Sequence, residues 1–216
     1  MNLIPFYQDV IAWNSFAGNE IQNSDKKELY IDLVDEESQE IIDSIKAKDP
    51  IEFIDGLCDT LVVGFFLLAL KKEDKLENFK STLNKLDIQK INISIENLSK
   101  LKEDGILLNI EEIIKIVETI CYSLDFDTVS ACEEVMISNW SKFPLIEFVD
   151  PEKEIAYIES QKKYTDISYS IKTDLYGKRR YIFKNGNNKV VKPSTFKDPR
   201  LAMFVTEQVK NLLIFK

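Results

Sequence analysis

The stretch LVDEESQEIIDSIKAKDPIEFIDGLCDTLVVGFFLLAL, residues 33–70, decides how this chain is read. Its two halves meet at Asp49-Pro50, where proline ends one helix and suits the first position of the next. At about 100° per residue, Glu37 falls within about 40° of Tyr30, Leu33 and Ile41, in the stripe expected to face the core, with Glu40 beside it. Beyond the proline, Glu52, Asp55 and Asp59 share an arc of about 60° that continues as Val62, Phe66 and Ala69. Two acidic clusters on neighbouring helices are therefore expected to point into one core. Desolvating an ionised carboxylate costs several kcal/mol, so such a gathering requires a neutralising cation. Donors that are all oxygen select a hard ion, Mg²⁺ first and Mn²⁺ as its substitute.

Composition narrows the chemistry further. The 216 residues contain no histidine, which removes imidazole acid–base catalysis, Ser-His and Cys-His nucleophiles and most zinc sites. A net charge of −9 argues against stable nucleic-acid binding, which needs a basic surface. Cys58, Cys121 and Cys132 lie in apolar helical context without C-x-x-C spacing, so free buried thiols in a reducing, cytoplasmic setting are expected. No secretory leader is read at the N-terminus, and the apolar run Leu57–Leu70 is read as a core helix too short to span a membrane.

Outward from the central stretch, residues 4–17 read as a first helix closed by Gly18-Asn19. The second helix runs from about Lys26 to Lys48, capped by Ser24 or Asp25, and the third from Pro50 to about Leu70. Residues 71–105 read as one or two amphipathic helices packed outside the core. Two more helices follow, from Asn109 and from a cap at Asp125 or Asp127. After Pro144 the texture changes. Residues 167–192 carry β-branched and aromatic residues with turn signals at Tyr176-Gly177 and Asn185-Gly186-Asn187-Asn188, which predicts a hairpin or a three-stranded piece. Residues 198–213 read as a last helix begun by Asp198-Pro199.

Glu37 and Glu40 are three apart, as are Glu52 and Asp55, so each pair occupies adjacent turns of one face. Antiparallel helices would bring the pairs together around a cation with positions left for water and a polyphosphate. Glu36, beside Glu37 but off the stripe, is the candidate base for that water. Trp13 and Asn14 on the first helix are candidates to stack on or bind a base.

The set Glu36-Glu37-Ser38-Gln39-Glu40, Glu52-Phe53-Ile54-Asp55 and Asp59 resembles the EExxE…ExxD signature of the all-α nucleoside triphosphate pyrophosphohydrolases, the MazG-like superfamily, which also includes phosphoribosyl-ATP pyrophosphohydrolases and dimeric dUTPases. IDGLCDTLVVGFFLLA is similar to the D-x-L-x-D-x-L segment of the phage and bacterial branch. Ser138-Asn139-Trp140-Ser141-Lys142-Phe143-Pro144 is similar to that branch's SNMSK and to the N-x-x-K-Y-P of related dCTP pyrophosphatases, and Lys189-Val190-Val191-Lys192-Pro193 to its DGKVxKGP tail. The resemblance implies a mainly α fold: a four-helix-bundle-type catalytic core over 1–144, with 71–105 as an insertion, and a C-terminal extension over 145–216 with a β-hairpin and terminal helix. It implies Mg²⁺-dependent hydrolysis of a nucleoside triphosphate, a deoxynucleotide first, to the monophosphate and pyrophosphate, by a homodimer or homotetramer. Glu37, Glu40, Glu52, Asp55 and Asp59 would hold metal; Asn139, Lys142 and Lys192 would contact the nucleotide. Two registers stay open at the second motif, one using Asp55 and the other Asp59, which sets Gly56 at a family glutamate. The competing reading is a non-catalytic nucleotide-binding or protein-interaction module on the same scaffold.

Overall fold

Helix α2 (Lys27–Ala47) and helix α3 (Pro50–Lys71) form the hairpin that the sequence places at the centre. Lys48 turns the chain in the left-handed region at φ 57°, and Asp49 accepts hydrogen bonds from the N–H groups of Ile51 and Glu52 at 2.9 and 3.1 Å, capping α3 ahead of Pro50. The computed structural model that gives this architecture describes residues 2–21, 26–71, 83–98 and 109–214. The expected cap at Ser24 or Asp25 lies outside them.

The chain is mainly helical and divides into two units. The first comprises residues 1–11, 20–135 and 200–216, and the second residues 12–19 and 136–199. The boundary thus falls inside α6 (Thr128–Ser141), after Val135, whereas the sequence texture changes only after Pro144.

In the first unit α3 packs against α2 and against α5 (Ile110–Ser123), and α4 (Ile88–Leu98) packs against both α2 and α5. These contacts close a four-helix ring. Two glycines let α3 approach its neighbours: a Cβ on Gly56 would stand 3.0 Å from Ile41 Cγ1 and 3.3 Å from the Ile41 backbone nitrogen, and one on Gly64 would meet Ile114 at 3.4 Å. The expectation that residues 71–105 pack outside the core is corrected at α4. Its Ile91, Ile95 and Leu98, at i, i+4 and i+7, are fully buried, because that spacing makes one continuous apolar face. Residues 72–82 and 99–108 lie outside the described residues.

Helix α3 is longer than the run Leu57–Leu70 and is long and apolar enough to cross a membrane, yet nearly all of it is buried inside the protein. The first part of α1 (Ile4–Ala17) joins this core through Phe6 and Tyr7, whose rings meet Phe65 edge-on. Asp127, the second of the two expected caps, starts α6 by accepting from the Ser130 N–H and hydroxyl. The last helix differs from its reading. Leu201–Phe204 is a 3-10 turn and α8 runs from Glu207 to Ile214, because Val205 is extended and the Thr206 hydroxyl oxygen accepts from Val209 N–H, starting a new helix there.

The second unit is built on a hairpin. Strand β1 (Ser168–Thr173) pairs antiparallel with β2 (Arg179–Lys184), with Gly177 in the turn at φ 75°. A single bridge from Lys184 to Val190 is all that the third piece contributes. Strand β2 is buried on both faces: Ile182 joins Phe16, Ala17 and Phe143, while Tyr181 and Phe183 join Ile158 and Val191. Ile158 belongs to α7 (Pro151–Ser160), a helix absent from the sequence reading even though Asp150-Pro151 carries the same cap-and-proline signal as Asp49-Pro50. Part of the hairpin's positive charge is structural. Lys172 Nζ donates to the Phe16 carbonyl at the end of α1, and Arg180 donates to Asp174 and to the Phe143 carbonyl, both at 2.8 Å.

Candidate functional site

The register of the α2–α3 hairpin follows from two contacts. Ile41 lies against Gly56, and Tyr30 meets Phe66 with ring centroids 4.6 Å apart. The helices therefore run antiparallel. Four residues before Ile41 stands Glu37, and three after Gly56 stands Asp59, so both project on the same side of the crossing. The physical trace of that placement is the protonation of Glu37. Burial, followed by the negative charges of Asp59, Glu40, Glu36 and Asp55, pushes its pKa up from 4.5 to about 9. Glu40 is raised as well, by desolvation and then by Glu36, Glu52 and Asp43. All six carboxylates singled out in the sequence thus act on one another across the two helices.

Their depth corrects the sequence expectation. The buried face of α2 is Tyr30, Val34, Ser38, Ile41 and Ile45, with Ser38 made compatible by a 2.7 Å hydrogen bond from its hydroxyl to the Val34 carbonyl. Glu37 lies about 60° from the middle of that face and Glu40 about 120°, so Glu37 is half-buried while Glu36 and Glu40 are exposed. On α3, Glu52 is exposed and Asp55 and Asp59 are half-buried, whereas the same face from Val62 to Phe66 is covered. The carboxylates form a rim at the mouth of the core, in place of the buried clusters that apolar spacing suggested. Both open registers of the second motif keep a carboxylate near Glu37, and Gly56 is occupied by the helix crossing.

Among the described residues, no three His, Cys, Asp or Glu side chains stand close enough to enclose a metal ion as they are placed. The chemistry of the donor set nonetheless fits a hard cation. The donors are carboxylate oxygens, the repulsion on Glu37 is what a divalent ion relieves, and the exposed Glu36, Glu40 and Glu52 have rotamer freedom to close on one. Glu37, Glu40, Glu52, Asp55 and Asp59 would hold Mg²⁺ or Mn²⁺. Two grooves of about 490 and 620 Å³ in the first unit, lined by α4, α5 and α8, contain none of these residues.

The second unit carries the other candidates. Lys142 Nζ donates to Asn139 Oδ1 at 2.6 Å and lies 5.4 Å from the centroid of Trp13, so the structure brings these three together. Lys192 stands 4.1 Å from the ring of Phe196, which Lys142 approaches at 5.9 Å. Asn14 is different: it is buried, and its side-chain oxygen accepts from Asn19 Nδ2 at 3.0 Å, which makes it part of the end of α1. Phe196 was absent from the sequence set. Its signal, an aromatic four residues after Lys192 and just past Pro193, has no periodicity to mark it.

Comparison of the chain with protein-family models, with curated proteins and with solved structures finds no match.

Proposed function

We propose that the chain is a Mg²⁺-dependent nucleoside triphosphate pyrophosphohydrolase acting on deoxynucleotides, converting dNTP and water to dNMP and pyrophosphate. The observation that carries this reading is the half-buried Glu37, held beside Asp59, Asp55, Glu40 and Glu36 so that its ionisation is opposed up to about pH 9. Carboxylates kept at such a cost are a common mark of a site, since apolar replacements would stabilise the same helices. The motif order quoted above supports the substrate class.

A divalent ion bound there would offset phosphate charge and make water a better nucleophile. The chain's own contribution is positional. Glu37, Asp55 and Asp59 are fixed by the α2–α3 packing, whereas the exposed Glu36 is free to accept a proton from water. As the water oxygen bonds to phosphorus, the anhydride link between the α and β phosphates breaks, and pyrophosphate leaves. A homodimer or homotetramer belongs to this proposal, as does a cytoplasmic setting, with which the three free buried cysteines agree.

The test is pyrophosphate release from a panel of dNTPs and NTPs, with Mg²⁺ and with EDTA. Metal-dependent release that Glu37→Gln and Glu40→Gln lower at least 100-fold is expected. Release unchanged by Glu40→Gln overturns the assignment, and silence across the panel leaves the interaction-module reading in its place.

A further inference from the structure

Strand β1 is exposed along its whole length, and one of its edges is open. The hydrogen bonding of β2 shows which groups of β1 face that edge. Tyr181 N–H donates to the Pro144 carbonyl at 2.9 Å and the Phe183 carbonyl accepts from Val191 N–H at 3.1 Å, so the odd-numbered groups of β2 are used away from β1. The even-numbered ones therefore bond to β1, in a ladder that Asp174 N–H extends to the Lys178 carbonyl at 2.8 Å. On β1 this leaves the N–H and C=O groups of Tyr169, Ile171 and Thr173 pointing outward, and among the described residues none pairs with them.

Open edges are ordinarily blunted by a bulge, a proline or a charged side chain. Here the register is continuous from Ser168 to Thr173 without proline, and the one charge, Lys172, spends its Nζ on the Phe16 carbonyl at 3.0 Å. The other face carries apolar side chains. Tyr169 and Ile171, each 40 % exposed, share it with Tyr181 and Phe183, whose rings lie 5.3 and 6.0 Å from that of Tyr169. At β2 this face is covered, with Phe183 and Tyr181 packed with Ile158 of α7; at β1 the cover runs out. A two-stranded sheet is marginal by itself, and further strands that extend its apolar face stabilise it.

The strand's own sequence fits this edge. Antiparallel pairing with a second copy about a two-fold axis sets odd positions opposite odd ones, and two registers keep five of the six residues paired, with the axis beside Ser170 or beside Ile171. The first sets Asp174 opposite the partner's Asp166, a destabilising like-charge pair. The second sets no two like charges opposite each other between Asp166 and Tyr176. In it Tyr169 meets the partner's Thr173, Ile171 meets its own counterpart, and Lys172 lies opposite the partner's Ser170. We infer that β1 is a self-docking edge at which a second copy of this chain pairs antiparallel about an axis beside Ile171, joining two hairpins into one four-stranded sheet. This interface deepens, and rests on, the homo-oligomer of the proposed function, and is independent of its catalytic part.

The full chain is followed by light scattering over a dilution series and by cross-linking with a short bis-maleimide, to which the three buried native thiols are inert. Ile171→Cys sets two thiols opposite each other at the axis, and a covalent dimer is expected at micromolar concentration. Tyr176→Cys, at 87 % exposure far more accessible, stays unlinked, because the axis holds the two turns at opposite ends of the paired strands. Ile171→Lys, which faces two ammonium groups across the axis, halves the mass of the assembly or raises its dissociation constant at least tenfold. Ile171→Pro removes an N–H that β2 does not use; it has the same effect, and decides if the lysine variant does not fold. An assembly that survives both substitutions, or that links through Tyr176→Cys as readily as through Ile171→Cys, overturns this interface alone and moves the contact to another surface. A wild-type monomer at micromolar concentration overturns the inference and the proposed assembly together, and leaves the edge to a strand of a different protein. Pyrophosphate release is read separately: its absence from an assembly that Ile171→Lys dissociates fails only the catalytic reading.

Discussion

Removing Glu37's charge should change how stability depends on pH, most of all in a window where this residue contributes the largest slope. Below pH 4.5 the glutamate is protonated in folded and unfolded chains alike and contributes no slope. Between 4.5 and about 9 the unfolded chain releases the proton and the folded chain keeps it, so the metal-free protein loses stability as pH rises, and the loss stops above about 9. At ~1.4 kcal/mol per unit the whole interval corresponds to ~6 kcal/mol. Over the roughly 1.5 units from pH 7 to 8.5 the same slope corresponds to ~2 kcal/mol. Glu118, a carboxylate buried on α5, is pushed up from 4.5 to about 7, mainly by desolvation, and adds a slope of the same sign that ends near pH 7. The buried thiols Cys58, Cys121 and Cys132 are all raised, so each adds a slope of the same sign that grows as unfolded thiols ionise toward pH 8.5. Across pH 7 to 8.5 the slope from Glu37 is therefore the largest single one. Urea unfolding in EDTA across this range should show a loss of ~2 kcal/mol from Glu37 in the wild-type chain. That part of the loss should be absent in Glu37→Gln, kept in Glu118→Gln and suppressed by Mg²⁺, which stabilises the ionised carboxylate. An unchanged slope in Glu37→Gln would refute the electrostatic argument.

Gly56→Ala places a methyl 3.0 Å from Ile41 Cγ1 and 3.3 Å from the Ile41 backbone nitrogen, so a loss of ~1–3 kcal/mol is expected in denaturant unfolding, with Gly64→Ala milder at 3.4 Å; equal stability for both variants would refute the close crossing. Light scattering after size exclusion should give twice or four times the 25.0 kDa chain mass, and a monomer at micromolar concentration counts against the proposed assembly.

Much of the fold was legible because its signals are local. Asp49-Pro50 marks a helix start by cap chemistry alone, and the ends of α1, α2 and α3 fall within a residue or two of their periodic patterns. Asp150-Pro151 carried the same signal and still went unread, since the charged sequence PEKEIAYIES has too few apolar positions to announce a helix. That the carboxylates gather was legible because three-residue spacing fixes a helical face. Their depth was not. The buried face of α2 centres near Val34, about 60° from Glu37, and includes serines at 38 and 44 that bond to their own helix's carbonyls and carry no apolar signal. The approach of Phe196 to Lys142 and Lys192 was illegible because its segment is held by Glu154 and Ser141, respectively 42 and 55 positions earlier in the chain.

The depth of the carboxylates bears on which function they can serve. Fully buried, they would need an ion stripped of water, and no triphosphate could reach it. Fully exposed, their mutual repulsion would be screened and Glu37 would titrate as an ordinary glutamate. The actual arrangement lies between, because α3 enters the core only after Asp59: Glu52, Asp55 and Asp59 face outward on the turns where Phe53, Ile54 and Leu57 already face inward, and from Val62 the outward face closes as well. A helix that serves only as a scaffold gains nothing by delaying that closure, since apolar residues at 55 and 59 would extend the core by two turns. On the proposed reading the delay would leave a hard cation beside Glu37, Asp55 and Asp59 open to water, as hydrolysis of a phosphoanhydride requires. It is on this half-open position, more than on the number of acidic residues, that the proposed enzymatic reading rests.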